Sequence, residues 1–152
     1  MRILILSFYY QPDLCAGSFR NTAVVEHVLK NLSADDHVDV ITTLPNRYAQ
    51  FSAQASQKES SENFTIHRIQ LPLHHSGMVD QSKAFLSFAR DTLAISKRHD
   101  YDLVFASSSR LMTATLGALI ARQKKIPLYL DIRDIFVDTL SDVLPRGLAL
   151  IL

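Results

Sequence analysis

Four short stretches of the chain carry residue types that could do chemistry. Ala16-Gly17-Ser18 stands where an amphipathic helix begins, so free backbone N–H groups and the helix dipole there favour an anion. Gly17 would let the backbone approach a phosphate with no Cβ in the way. The competing role for these residues is local, with Gly17 shaping the loop and Ser18 capping the helix. Ser107-Ser108-Ser109-Arg110 offers hydroxyls and N-terminal amides to a sugar or a phosphate, or else one serine caps the next helix. Asp131-Ile132-Arg133-Asp134 packs two carboxylates and a guanidinium into a short span, which suits ion pairing and acid/base work. Its alternative is a helix start, with Asp134 near the positive end of the dipole and Arg133 paired to it. Tyr9, Tyr10 and Arg47 are sugar- or phosphate-contact types and equally serve as loop anchors.

Several other chemistries are disfavoured. A dinucleotide site wants G-x-G-x-x-G, and Gly17 has no companion glycine. Neither a G-x-S-x-G elbow nor a Walker loop occurs. Asp100-Tyr101-Asp102 has the form of a metal-binding D-x-D. It precedes a strand, on the edge away from the other candidates, and reads as a solvated turn. His74 and His75 are adjacent and point apart in an extended chain, and His27 and His37 are isolated, so no metal site is expected. With 16 Lys and Arg against 15 Asp and Glu in 152 residues, the net charge of +1 creates no general field for nucleic acid. A hydrophobic fraction of 47% supports a packed core and rules out intrinsic disorder. The single cysteine, Cys15, forms no intramolecular disulfide, which points to a reducing compartment and a cytoplasmic setting. No apolar run approaches the about 20 residues that span a bilayer, and residues 1–6 are too short for a signal-peptide core.

The elements that must position these residues follow from hydrophobic periodicity. Residues 3–8 form a continuous apolar run, as a strand covered on both faces does. Val25, Val28, Leu29 and Leu32 fall at helical spacing in a helix starting near Ser18. Strands are expected at 38–43, 64–71, 103–106 and 127–132, with the third near a sheet edge. Helices are expected between about Asp80 and Lys97 and along the small-residue stripe Ala114, Gly117, Ala118 and Ala121. Residues 47–63, rich in Ser, Gln, Ala and Glu, read as a mobile surface loop. This alternation is that of an α/β, doubly wound, mostly parallel Rossmann-like sheet with helices on both faces and strand order 3-2-1-4-5. Ligands in such sheets bind beyond the carboxyl ends of the strands where the winding reverses, here between the first and fourth strands. The loops at 9–18 and 107–110 should therefore face one crevice.

With these residues in view, a resemblance emerges. The run Phe8-Tyr9-Tyr10-Gln11-Pro12-Asp13 followed by Ala16-Gly17-Ser18-Phe19-Arg20 resembles the amino-terminal domain of family 4 nucleotide-sugar glycosyltransferases, which have the two-domain GT-B arrangement. The segment from Asp131 to Thr139 is similar to the motif Asp-x-Arg-Asp-x-Trp-Pro-x-Ser of a bacterial surface-polysaccharide branch, lipopolysaccharide synthesis included. Phe136 and Val137 stand in place of its Trp-Pro, and Ala16 in place of the first of a commonly paired glycine. The resemblance implies retaining transfer of a sugar from a nucleotide-sugar donor to a saccharide or polyprenyl-linked acceptor, with no cofactor and no catalytic metal. By that match Ala16, Gly17, Ser18 and Arg20 would contact the donor phosphates. Tyr9, Tyr10, Arg47, Ser107, Ser108 and Arg110 would line the acceptor side. Arg133 and Asp134 would border the reacting sugar, with Asp134 orienting or deprotonating the acceptor hydroxyl.

The family's donor-binding signature is a pair of glutamates eight positions apart in a second domain. Glu26, Glu59 and Glu62 contain no such pair. The chain is therefore expected to be one domain, residues 1–152, whose carboxy-terminal partner is absent, and to have little or no transferase activity alone. The apolar ending at residues 148–152 fits a helix cut short. Family enzymes with lipid-linked acceptors attach to the inner membrane face through basic and apolar helices. Lys97, Arg98 and Arg47 are the residues that would contribute, and solvated faces account for them equally. Two further readings compete: a stand-alone nucleotide- or phosphate-binding module using Gly17 and Ser107, and a flavodoxin-like partner-binding domain.

Overall fold

The computed structural model describes residues 1–45, 54–72, 78–108 and 110–133. Among these, the elements run β1 Arg2–Leu6, α1 Ala16–Lys30, β2 His37–Thr43, β3 Lys58–Ser60, β4 Phe64–Ile69, α2 Met78–Ser96, β5 Leu103–Ser107, α3 Leu111–Lys124 and β6 Leu128–Asp131. The sheet order is β3-β4-β2-β1-β5-β6, parallel throughout except for the antiparallel β3–β4 pair. The expected order of the five parallel strands is therefore found, β4-β2-β1-β5-β6. The chain is an α/β protein with a Rossmann-like, doubly wound sheet.

Strand β1 shows why the sheet needs cover on both faces. Its side chains alternate, so Ile3 and Ile5 join Val25, Val38, Val40 and Ile66 under α1. Leu4 and Leu6 join Phe88, Ile120 and Ala106 under α2 and α3. α3 approaches β5 closely at its one glycine. A Cβ at Gly117 would lie 2.5 Å from the Ala106 Cβ, so this helix sits where only a hydrogen fits. Within the small-residue stripe, Gly117 is the residue that makes this approach possible.

One expectation is corrected here and another refined. Residues 58–60, within the stretch expected to be a mobile loop, form β3 and pair with 65–67 of β4. Lys58, Glu59 and Ser60 are all exposed, so their strand state left no hydrophobic pattern to read. What holds β3 is the hydrogen-bonding edge of β4, with the turn closed by the Ser61 amide donating to the Phe64 carbonyl at 2.8 Å. The reading of Asp100-Tyr101-Asp102 as a solvated turn on the amino edge holds for both aspartates and is refined at the residue between them. Tyr101 is buried in the core, and the Asp102 carboxylate accepts the Arg2 amide at 2.6 Å, so this turn is built into the sheet's amino edge. Asp100 and Asp102 are both exposed, as a solvated turn on that edge requires.

Candidate functional site

β1 and β5 are adjacent, parallel and followed by helices on opposite faces of the sheet, so both helix N-termini open at the same carboxyl edge. α1 begins at Ala16 after Cys15, and α3 begins at Leu111 after Arg110. Neither cap residue makes a side-chain bond to its helix, and neither first turn holds an acidic residue. The local alternatives for the two serine segments thus fail, because neither Ser18 nor Ser107 or Ser108 is a cap. At both ends, neither the cap residue nor the first turn supplies a carboxylate to the leading N–H groups and the positive dipole end.

Gly17 and Ser18 lie inside the first turn of α1 and are buried, whereas Ala16 is exposed. No described glycine has a positive φ, so Gly17 is not there for its backbone freedom. Arg20, one turn further on, reaches across to the end of β6. Its Nε donates to Asp131 Oδ2 at 3.1 Å and its Nη2 to Asp131 Oδ1 at 2.5 Å. The guanidinium that meets Asp131 therefore comes from α1 rather than from Arg133. Arg20, followed by burial acting in the opposite direction and by Ser107 and Arg133, leaves the Asp131 carboxyl below the ordinary carboxylate range.

Ser107 and Ser108 are both buried and turned inward. Ser107 Oγ donates to Asp131 Oδ2 at 3.3 Å, the Ser108 amide donates to the Asp131 carbonyl at 2.9 Å, and the Arg133 amide donates to Ser108 Oγ at 2.8 Å. They lock the exit of β6 to the exit of β5, which places Arg133 at the edge. Arg110 crosses to the β1–α1 loop: Nη2 donates to the Tyr9 hydroxyl at 2.8 Å, and the guanidinium carbon lies 4.4 Å over the Phe8 ring. Tyr9 and Arg110 are thus brought together as the sequence suggested, although Tyr9 is itself mostly buried.

Tyr10 is a correction. It is 2% exposed, packs with Val25, Val40 and Ile66 beneath α1, and burial pushes its hydroxyl up to about 12. The tight turn closed by the Asp13 amide and the Tyr10 carbonyl, at 3.0 Å, follows this anchor, and the side chain is withdrawn from the crevice. Arg47 and Asp134 lie outside the described residues, as do His74, His75, Ser109, positions 135–139 of the motif and the apolar ending. Among the described residues, no group of three or more His, Cys, Asp or Glu side chains could hold a metal ion. No helix among them is long and apolar enough to cross a membrane.

Two supports of this edge had little signal in the sequence. Asn21 Nδ2 donates to Ser7 Oγ at 2.5 Å, and Ser7 Oγ donates to the Tyr9 carbonyl at 2.6 Å, pinning the loop to α1 from inside. A polar Asn on the core-facing stripe of α1 was the one clue. Arg68 of β4, almost fully buried, donates to the carbonyls of Ser56 at 3.0 Å and Gln11 at 3.2 Å and pairs with Glu59. It fastens residues 11–14 to the β3 hairpin.

No protein-family model matches the chain, and no curated protein matches it. Among solved structures, it is similar to a UGT transferase from Siraitia grosvenorii in complex with UDP, at a TM-score of 0.48 and 14% identity. The match covers 97% of this chain and 32% of that one, so the chain spans about a third of that structure's length.

Proposed function

We propose that the chain is the amino-terminal, acceptor-side half of a retaining glycosyltransferase that moves a sugar from a nucleotide-sugar donor to a saccharide or polyprenyl-linked acceptor. The observation that carries this reading is the pair of uncapped helix N-termini, α1 and α3, opening where the winding of the sheet reverses. Arg20, Arg110 and Arg133 stand around the same edge. Amide dipoles and guanidinium groups there would stabilise negative charge developing on a departing diphosphate. The sequence resemblance supplies the rest: donor-phosphate contact by the first turn of α1, a catalytic place for Arg133 and Asp134, and synthesis of surface polysaccharide at the inner face of a membrane. The nucleotide-sugar is a substrate in this reading, which calls on no cofactor or metal.

Titration of the 152-residue chain with UDP, GDP and inorganic pyrophosphate tests the anion site. Saturable binding that weakens about tenfold in Arg110→Ala supports it. Saturable flavin binding at the same edge would sink the transferase reading in favour of a flavodoxin-like one. Sugar transfer to saccharide acceptors is expected to be absent with this chain by itself, and substantial turnover would overturn the assignment of the donor half to a second domain.

A further inference from the structure

On the side of α1 turned away from Arg20, the loop at residues 11–14 and the first three turns of the helix enclose an open cavity of about 370 Å³. None of the residues assigned to phosphate, acceptor or catalysis lines it, except Ser18. Its chemistry differs from that of the arginine side. Leu14 and Phe19 supply an apolar wall, and Phe19 is 61% exposed although it sits beside a concave surface. Gln11 and Glu26 stand at the exposed rim, and Asp13 completes the polar part of the wall. No lysine or arginine lines the cavity, so an anionic occupant would meet carboxylates without a cation.

Two buried hydroxyls beneath the wall strengthen the case. Ser18 is 1% exposed, and both Ser18 Oγ and Thr22 Oγ1 are buried without a hydrogen-bond partner among the described residues. They lie one helical turn apart and both border the cavity. Buried polar atoms are ordinarily paired, so this wall has hydrogen-bonding capacity to spare. An exposed aromatic ring, carboxylate and amide acceptors at a rim, and unspent hydroxyls are together suited to a ring with one apolar face and several hydroxyls around it.

We infer that this cavity is a subsite for a neutral saccharide ring, stacked on Phe19 with its hydroxyls directed to Glu26 and Gln11. Calling that saccharide the acceptor rests on the transferase reading, whereas the binding itself does not. The two arms of the reading then lie on opposite sides of one helix: anion on the Arg20 side, neutral sugar on the Phe19 side.

The test is a heteronuclear NMR titration of the 152-residue chain with methyl α-glucoside, methyl α-mannoside, methyl α-galactoside and N-acetylglucosamine. Saturable amide shifts confined to residues 11–26 are expected with at least one of these probes. Phe19→Ala should weaken that binding about tenfold, Phe19→Tyr should retain it, and Arg20→Ala should leave it unchanged. Glucuronate should bind more weakly than the matching neutral sugar. Absence of saturation with all four probes, or binding that survives Phe19→Ala, overturns the inference. Self-association abolished by Phe19→Ala, without any saccharide shift, would instead make the wall a contact between copies and also overturn it. A parallel pyrophosphate titration reads the anion site by itself, so failure of one subsite is distinguishable from failure of the other.

Discussion

Arg20 and Asp131 are 111 residues apart in the chain and meet in a two-point ion pair across the carboxyl edge. Each was visible as a charged residue in a suggestive segment, but their partnership was not, because it depends on how far α1 is carried over the sheet. The pair also sets a prediction. Asp131 competes with any bound anion for Arg20, so Asp131→Asn should tighten inorganic pyrophosphate binding several-fold by calorimetry; unchanged affinity would remove Arg20 from the anion site. A second charged residue works at the opposite edge. Asp39 is fully buried in β2, with Arg2 Nε at 2.6 Å and the His37 and His67 rings at 3.6 and 3.8 Å. Burial acts to raise its pKa, but His67, Arg2 and His37 outweigh it and hold the carboxyl well below its ordinary value of 3.8. A depressed folded-state value means the contribution is fully present above pH about 3.8 and is lost as the pH falls through the lower, folded value. Acid unfolding should therefore be steeper in the wild type than in Asp39→Asn, which at neutral pH should be less stable by on the order of 3 kcal/mol in urea melts.

At the scale of elements, periodicity among the described residues found the strands and helices that carry apolar residues and missed the one strand that carries none. β3 is entirely polar at the surface and exists because β4 presents an open edge, so no local pattern could announce it. Its tie to the site runs through Arg68, whose nearly buried guanidinium joins Ser56, Glu59 and Gln11. Arg68→Met should cost about 1–3 kcal/mol and raise hydrogen exchange both in β3 and at residues 11–14; protection unchanged at 11–14 would break this link. The α3–β5 contact gives a sharper test. Gly117→Ala gains helix propensity of about 1 kcal/mol yet places a methyl 2.5 Å from the Ala106 Cβ. Overpacking is expected to dominate, with a net loss of about 1–2 kcal/mol in thermal melts and recovery in the Gly117→Ala, Ala106→Gly double variant.

At the scale of the whole molecule, the membrane proposal concerns Lys97 and Arg98, both exposed just beyond the end of α2. Co-sedimentation with anionic vesicles at low salt should fall about fivefold or more on reversing both charges, in line with about 1 kcal/mol per basic residue near an anionic surface. No binding by the wild type would end that proposal. By itself, the sequence determined the class of fold and the parallel order of its strands. Those follow from short-range alternation, helical spacing and the handedness of crossovers, all of which are written locally. Tertiary structure alone decided which of the candidate residues face the carboxyl edge. It withdrew Tyr10 into the core, turned Ser107 and Ser108 inward, paired Arg20 with Asp131 and opened a second, acidic and aromatic cavity on the far side of α1. Each of those outcomes depends on contacts between residues distant in the chain, where hydrogen bonding and exclusion of water choose a partner that residue type and spacing leave open.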